Sequence, residues 1–193
     1  MVELRNQSDI ITALKQGSVI AIPTETVYGL AIIYNNDDAL EKLLQIKGRD
    51  YDDTKVFTLI PENTAQISDF ATIPQQAQPY IKQFPAPLTI ILPKNPNFHH
   101  PYYDHFPLIG IRLPDHPLFT NLPFPIMLTS ANRRGQPPLN TAEQIQTQLP
   151  ELDAIFIGDS GHQPPSTVIS FADPDHPTVL RQGNFNPSSL RGL

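Results

Sequence analysis

Twelve of this chain's 22 prolines fall between Pro74 and Pro125. A residue that fixes φ and lacks an amide hydrogen breaks helix interiors and is kept out of central β-ladders. This stretch is therefore restricted to turns, very short helices and strands that fit between prolines. Leu88 to Leu92, Leu108 to Arg112 and Ile126 to Thr129 are such strands, aliphatic runs whose turns and edges the prolines fix. Pro93 to Pro107 lacks such a run and reads as a mobile loop.

On either side the pattern changes. Ser8 is expected to cap a helix from Asp9 to about Gln16 that presents Ile10, Ile11 and Leu14 on one face and stops at Gly17. Val19 to Ile22 then reads as a buried strand ending at Pro23, which delivers the polar loop Thr24-Glu25-Thr26 to its C-terminal end. Asp37 and Asp38 open a second helix through about Ile46, with Gly48 beyond it. Val56 to Ile60, Ala154 to Ile157, Thr167 to Ile169 and Thr178 to Leu180 complete the strand candidates. Weaker helices fit Gln75 to Phe84, His116 to Asn121 and Thr141 to Gln148. Some strands follow one another directly and others are separated by helices. The pattern predicts an α/β (α+β) fold with a mixed parallel and antiparallel sheet, and 193 residues suit one domain, 1–193.

Composition narrows the functional classes. The chain has no cysteine, which removes disulfides, thiolate metal sites and cysteine nucleophiles. No segment reaches the roughly 18 apolar residues of a membrane span, and the N-terminus has no basic stretch leading into an apolar run. A cytoplasmic protein with no membrane partner is the expectation. The six histidines sit in loops without ligand spacing, so no metal site of the protein's own is expected. Glycine-rich phosphate loops and Gly-x-Ser-x-Gly are absent. Net charge is −6, yet seven of 13 Lys and Arg residues (Lys47, Arg49, Lys55, Arg112, Arg133, Arg134, Arg181) gather in or beside a few short motifs. That distribution predicts one positively charged site on an acidic body.

Two constellations carry most of the chemistry. Lys47-Gly48-Arg49 follows the second helix, with Lys55 close behind. In an extended segment, side chains two apart share a side and could grip one anion, for instance a triphosphate. They could equally offset the helix dipole. Thr129-Ser130-Ala131-Asn132-Arg133-Arg134-Gly135 empties out of a strand, placing a hydroxyl and an amide where phosphate or adenine could be met. The same residues could instead form a turn with two solvated arginines. Gly110-Ile111-Arg112-Leu113-Pro114, Pro165-Ser166-Thr167-Val168-Ile169 and Val179-Leu180-Arg181 each bring a hydroxyl or an arginine to a strand edge.

In this order, together with Gly17 to Leu30 and Pro87-Leu88-Thr89, these motifs resemble the YrdC-like family, whose members include threonylcarbamoyl-AMP synthases. The resemblance spans nearly the whole chain. It implies a twisted mixed sheet flanked by helices around a wide basic cleft that binds ATP with Mg²⁺, L-threonine and bicarbonate. It assigns Lys47, Arg49, Ser130 and Asn132 to catalysis and nucleotide binding, with Lys55 and Arg181 also at ATP. It assigns Thr24, Thr26, Arg112 and Ser166 to threonine. The implied reaction makes L-threonylcarbamoyladenylate and releases pyrophosphate, for tRNA N6-threonylcarbamoyladenosine modification by a downstream threonylcarbamoyl transferase complex. Two other readings fit the same cations. One is a non-catalytic paralogue that binds tRNA or other double-stranded RNA, for which Tyr28 and Tyr51 are the nearest stacking aromatics. The other is carbamoyl transfer to another amine. Lys47→Ala or Arg49→Ala is expected to abolish activity and leave the melting temperature nearly unchanged.

Overall fold

The computed structural model describes residues 1–51, 56–161 and 163–190. Asn6, with an extended backbone, accepts the Asp9 amide and starts helix α1 (Gln7–Lys15). The cap is thus Asn6 and not Ser8, whose backbone is already helical. Asn36 does the same for α2 (Asp37–Lys47) by accepting from the Ala39 amide, and Gly48 ends it in the left-handed region at φ 62°.

Ten strands form one sheet: β1 (Val2–Leu4), β2 (Ile20–Ile22), β3 (Gly29–Ile33), β4 (Thr58–Ile60), β5 (Leu88–Pro93), β6 (Leu108–Ile111), β7 (Ile126–Ser130), β8 (Ala154–Phe156), β9 (Thr167–Ser170) and β10 (Thr178–Arg181). Their order across the sheet is β1-β8-β2-β3-β7-β4-β6-β5-β9-β10. The pairs β1/β8, β2/β8, β4/β6 and β5/β9 are parallel, and the other five are antiparallel. The mixed sheet was expected. Strands β1 and β3 were not: β1 has only three residues, and the apolar run of β3 was absorbed into the motif that begins at Gly17.

Proline trims the middle of the chain as anticipated, and further. Gln75 to Phe84 reduces to a 3-10 turn and α4 (Gln78–Ile81), after the equally short α3 (Ile67–Phe70), while His116 to Asn121 reduces to a 3-10 turn at Pro117–Phe119. Helix α5 (Ala142–Gln148) keeps its full capping box between Thr141 and Gln144. The segment Pro93 to Pro107 is not a free loop. Tyr102 and Tyr103 are buried, and both hydroxyls bond the Phe57 backbone, one accepting from its amide and the other donating to its carbonyl.

The two faces of the sheet differ. On one, Leu30, Ile32, Leu59, Met127, Ile109, Ile111 and Ile90 pack beneath Leu40, Leu43 and Leu44 of α2. On the other, Ile20, Ile22, Ala31, Ile126, Leu128 and Ile60 lie under Ile10 and Leu14 of α1 and under Phe119 and Leu122. Strand register carries this second face onward to Ser130, Thr58, Gly110 and Thr89, where small and polar residues replace most of the aliphatic ones and Ile91 stands opposite Gly110. A hydrophobic face that turns polar partway across a sheet marks the place where the core ends and a cleft begins.

His100 gives the loop a pH dependence. Its ring is buried; one nitrogen lies 2.6 Å from the Tyr34 carbonyl and the other accepts the Tyr102 amide, so the ring is neutral. Burial lowers its pKa below 6.5, opposed by the Tyr34 bond and by Asp37 and Asp104. The unfolded state therefore takes up this proton first as pH falls, and the stability His100 contributes, complete above the unfolded value, is lost between that value and the lower folded one. The melting temperature should fall from pH 7.5 to 5.5, and His100→Gln should flatten part of that slope in thermal melts.

Candidate anion-binding cleft

Lys47, the last residue of α2, is fully buried. Its ammonium donates to the Ser130 carbonyl at 2.7 Å and to Asn132 Oδ1 at 2.6 Å. Ser130 Oγ donates to the same Oδ1 at 2.6 Å, and Asn132 Nδ2 donates to the Gln136 carbonyl. The Arg134 amide donates to the Lys47 carbonyl, and the Arg133 guanidinium reaches the Ile46 carbonyl and Glu151. The end of α2 and the exit of β7 are thus one cross-linked unit, and Arg133 is not a solvated arginine. Glu151 is held below its usual carboxylate range, chiefly by the Arg133 hydrogen bond.

The extended geometry expected for Lys47-Gly48-Arg49 is absent, because Lys47 is helical and Gly48 is left-handed. Lys47 turns inward. The Arg49 guanidinium lies over the Phe57 ring, 5.5 Å from its centre, and that ring stacks on Tyr102. The buried aromatic platform under this arginine had no sequence signal, since its parts come from β4's approach and the distant Tyr102 loop. Lys55 falls outside the described residues.

A second group gathers under the Thr24-Glu25-Thr26 loop. Thr24 and Thr26 are buried, with their hydroxyls 2.9 Å apart. Arg112, two residues beyond Gly110 on the cleft face, donates through one Nη to Glu25 at 2.7 Å and to Thr26 Oγ1 at 2.9 Å. Arg181 donates to the Ser166 carbonyl at 2.9 Å and to its hydroxyl at 3.1 Å, and that hydroxyl also meets Thr89 at 2.8 Å. Burial first, and then the charge of Arg112, lower the Arg181 pKa. The buried Arg112 guanidinium, close enough to lower the pKa of the more exposed one of Arg181, makes a place where an anion is favoured. Among the described residues, buried Arg112 Nε and Glu25 Oε2 have no hydrogen-bond partner, atoms that a ligand or water can satisfy.

Sequence reasoning assigned Arg181 to the nucleotide set, whereas its bonds join it to Ser166. Glu25 and Thr89 had been quoted without roles. Asn140 had no sequence signal: its buried Oδ1 lacks a partner, and with Thr141, Ile157 and Asp159 it lines a pocket of about 270 Å³. Tyr28 and Tyr51 do not offer faces for bases. Tyr28 is buried with its hydroxyl on Gly158, and Tyr51 packs against Tyr102 and His105.

These features define an open mixed sheet with one face that is bare of helices beyond α1 among the described residues, fixed cations and hydroxyls gathered at two stations on it. The chain belongs to the Sua5/YciO/YrdC family, described as telomere recombination, whose pattern matches residues 12–183. It is 37% identical to a threonylcarbamoyl-AMP synthase of Photobacterium profundum, over 92% of this chain and 99% of that one. A Bacillus subtilis protein of the same name is 34% identical over 93% of this chain, which spans 54% of it. Among solved structures, P. abyssi Sua5 complexed with L-threonine superposes with a TM-score of 0.83 at 27% identity, covering 98% of this chain and 58% of that one. E. coli YciO shares the fold at a TM-score of 0.82 and 24% identity, covering 96% and 95%. Among the described residues no helix is long and apolar enough to cross a membrane.

Burial of Lys47 overturns the expectation that Lys47→Ala leaves stability alone. Losing the charged donor removes a buried bond from the Ser130 carbonyl and leaves Asn132 Oδ1 with the Ser130 hydroxyl alone, so the variant should lose about 2 to 3 kcal/mol in denaturant titrations as well as its activity. Gly161 is a second structural dependency. A Cβ there would lie 1.9 Å from the Glu25 carbonyl oxygen, and its amide donates to the Thr24 carbonyl. Gly161→Ala should displace the Thr24-Thr26 loop and weaken binding of the ligand held there at least tenfold, read by calorimetric titration.

Proposed function

We propose that this chain is a threonylcarbamoyl-AMP synthase, making L-threonylcarbamoyladenylate from L-threonine, bicarbonate and ATP with release of pyrophosphate. The observation that carries the reading is the pairing of two stations on one sheet face: Lys47 locked to Ser130 and Asn132, and Arg112 and Arg181 beside buried hydroxyls. The names of the curated relatives support the same reading.

Arg112 and Ser166 take the threonine carboxylate, with Thr24 and Thr26 beside them. The threonine amine takes up the carbon of bicarbonate with loss of water to give a carbamate, a carbamate oxygen attacks the α-phosphorus of ATP, and the bond to the pyrophosphate oxygen breaks. No protein nucleophile takes part. Lys47, Arg49, Ser130 and Asn132 orient the nucleotide and offset charge that builds on the leaving pyrophosphate. Mg²⁺ enters with the substrate as MgATP, ligated by triphosphate oxygens. The adenylate then passes to a separate transferase that acts on tRNA in the cytoplasm. Non-catalytic RNA binding gains no support from the aromatic side chains, since Tyr28 and Tyr51 are engaged internally.

The test is pyrophosphate release from ATP, Mg²⁺ and bicarbonate with each amino acid in turn. Threonine-specific, bicarbonate-dependent release is expected. A folded protein that releases none with threonine refutes the reading, and release with a different amine instead would assign carbamoyl chemistry on that amine.

A further inference from the structure

Two glycines lie on the sheet's bare face, and the structure explains only one of them. Gly29 in β3 is favoured by packing, because a Cβ there would have to push aside the buried Leu128 side chain, whose Cδ1 lies 2.6 Å away, and would stand 3.3 Å from the Thr129 carbonyl oxygen. Gly110 in β6 has no such reason. A Cβ at Gly110 would meet Thr58 Oγ1 and Thr89 Cγ2 at 3.8 Å and Thr58 Cα at 3.9 Å, all ordinary van der Waals contacts. Its φ is not in the left-handed region either. A glycine inside a strand weakens it through lost packing and greater unfolded-state freedom, and where geometry does not require glycine, the common reason is close approach of a ligand or another backbone. Among the described residues the nearest backbone atom is Thr58 Cα at 3.9 Å, no closer than an ordinary contact.

The gap has defined walls. Thr58 of β4 and Ile91 of β5 are its partners across the ladder, Thr89 stands on the diagonal with its methyl 3.8 Å from a Cβ placed there, and Arg112 follows two residues on, just past the end of β6. The Thr89 hydroxyl is bonded to Ser166, whereas the half-buried Thr58 hydroxyl makes no hydrogen bond among the described residues. An amino acid whose carboxylate is held by Arg112 and Ser166 would lay its side chain toward this gap, with a methyl over Gly110 and a hydroxyl beside Thr58. We propose that Gly110 is a specificity-determining residue, the floor of the pocket that receives the methyl of a β-hydroxy amino acid, with Thr58 Oγ1 as partner of the substrate hydroxyl. This rests on the reading of the cleft as a threonine site.

One missing or blocked methyl group in a pocket is worth about 10- to 200-fold in discrimination. In Gly110→Ala the new methyl takes the space of the substrate's own, so kcat/KM for threonine should fall at least about tenfold while that for serine changes little. The ratio of threonine to serine kcat/KM, from pyrophosphate release, should therefore fall about tenfold or more, with the melting temperature unchanged or slightly raised. Gly29→Ala is the contrasting variant: its melting temperature should drop. An unchanged threonine-to-serine ratio in folded Gly110→Ala overturns the proposal, and so does a melting temperature that falls as it does in Gly29→Ala. If the wild-type protein releases no pyrophosphate with threonine, the reading of the cleft fails first and the proposal with it.

Discussion

Everything at the first station of the cleft depends on the buried Lys47 ammonium. It sits where α2 ends and joins that end to the exit of β7 through the Ser130 carbonyl and Asn132 Oδ1. A fully buried cation is tolerated only when polar atoms replace its water, and here the replacements are the residues whose neighbouring groups face the cleft. The same bonds that stabilise the charge fix the Ser130 hydroxyl and the Asn132 amide. Backbone bonds from Arg134 and the Arg133 guanidinium to the last turn of α2 remove the remaining freedom. Stability and site geometry are consequently one property at this point.

The second station is ordered differently. Arg112 emerges from β6 and is held by Glu25 and Thr26 from the loop after β2, so two strands well separated in the sheet order are tied across its bare face. The loop is fixed from behind, where the Thr24 and Thr26 carbonyls accept from Gly161 and Gln163. Arg181 and Ser166 approach from the opposite edge. Hydrogen bonds to Glu25 and Thr26 on one side and to Ser166 on the other hold the two guanidiniums in place in the free protein, the condition for electrostatic preorganisation. The bare face follows from residue size: Gly110, Thr58 and Thr89 stand where the neighbouring half of the sheet carries Ile60, Ile126 and Leu128 under α1.

Much of the fold was legible in the chain. Aliphatic runs between prolines located β5, β6 and β7, and the Asn36 to Gly48 boundaries of α2 lay within a residue or two of where its acidic start and glycine stop implied. Thr141 and Gln144 marked α5 correctly. The failures have physical causes. Ser8 and Asn6 are both good caps, and only the backbone angles choose between them. Strand β1 carries little pattern of its own and exists because β8 offers a parallel ladder. The Pro93 to Pro107 segment looked loose because its ordering contacts, from Tyr102 and Tyr103 to the Phe57 backbone, are long-range.

By itself, the sequence determined the mixed sheet, the family and the residue types gathered at the cleft, because proline placement, hydrophobic period and ordered motifs are local properties of the chain. Tertiary structure alone decided what those residues do. It turned Lys47 inward, laid Arg49 on Phe57, grouped Arg181 with Ser166, and revealed Asn140 and a Gly110 that packing does not require. Burial, hydrogen-bond partners and empty volume arise only between segments far apart in the chain, and no local pattern records them.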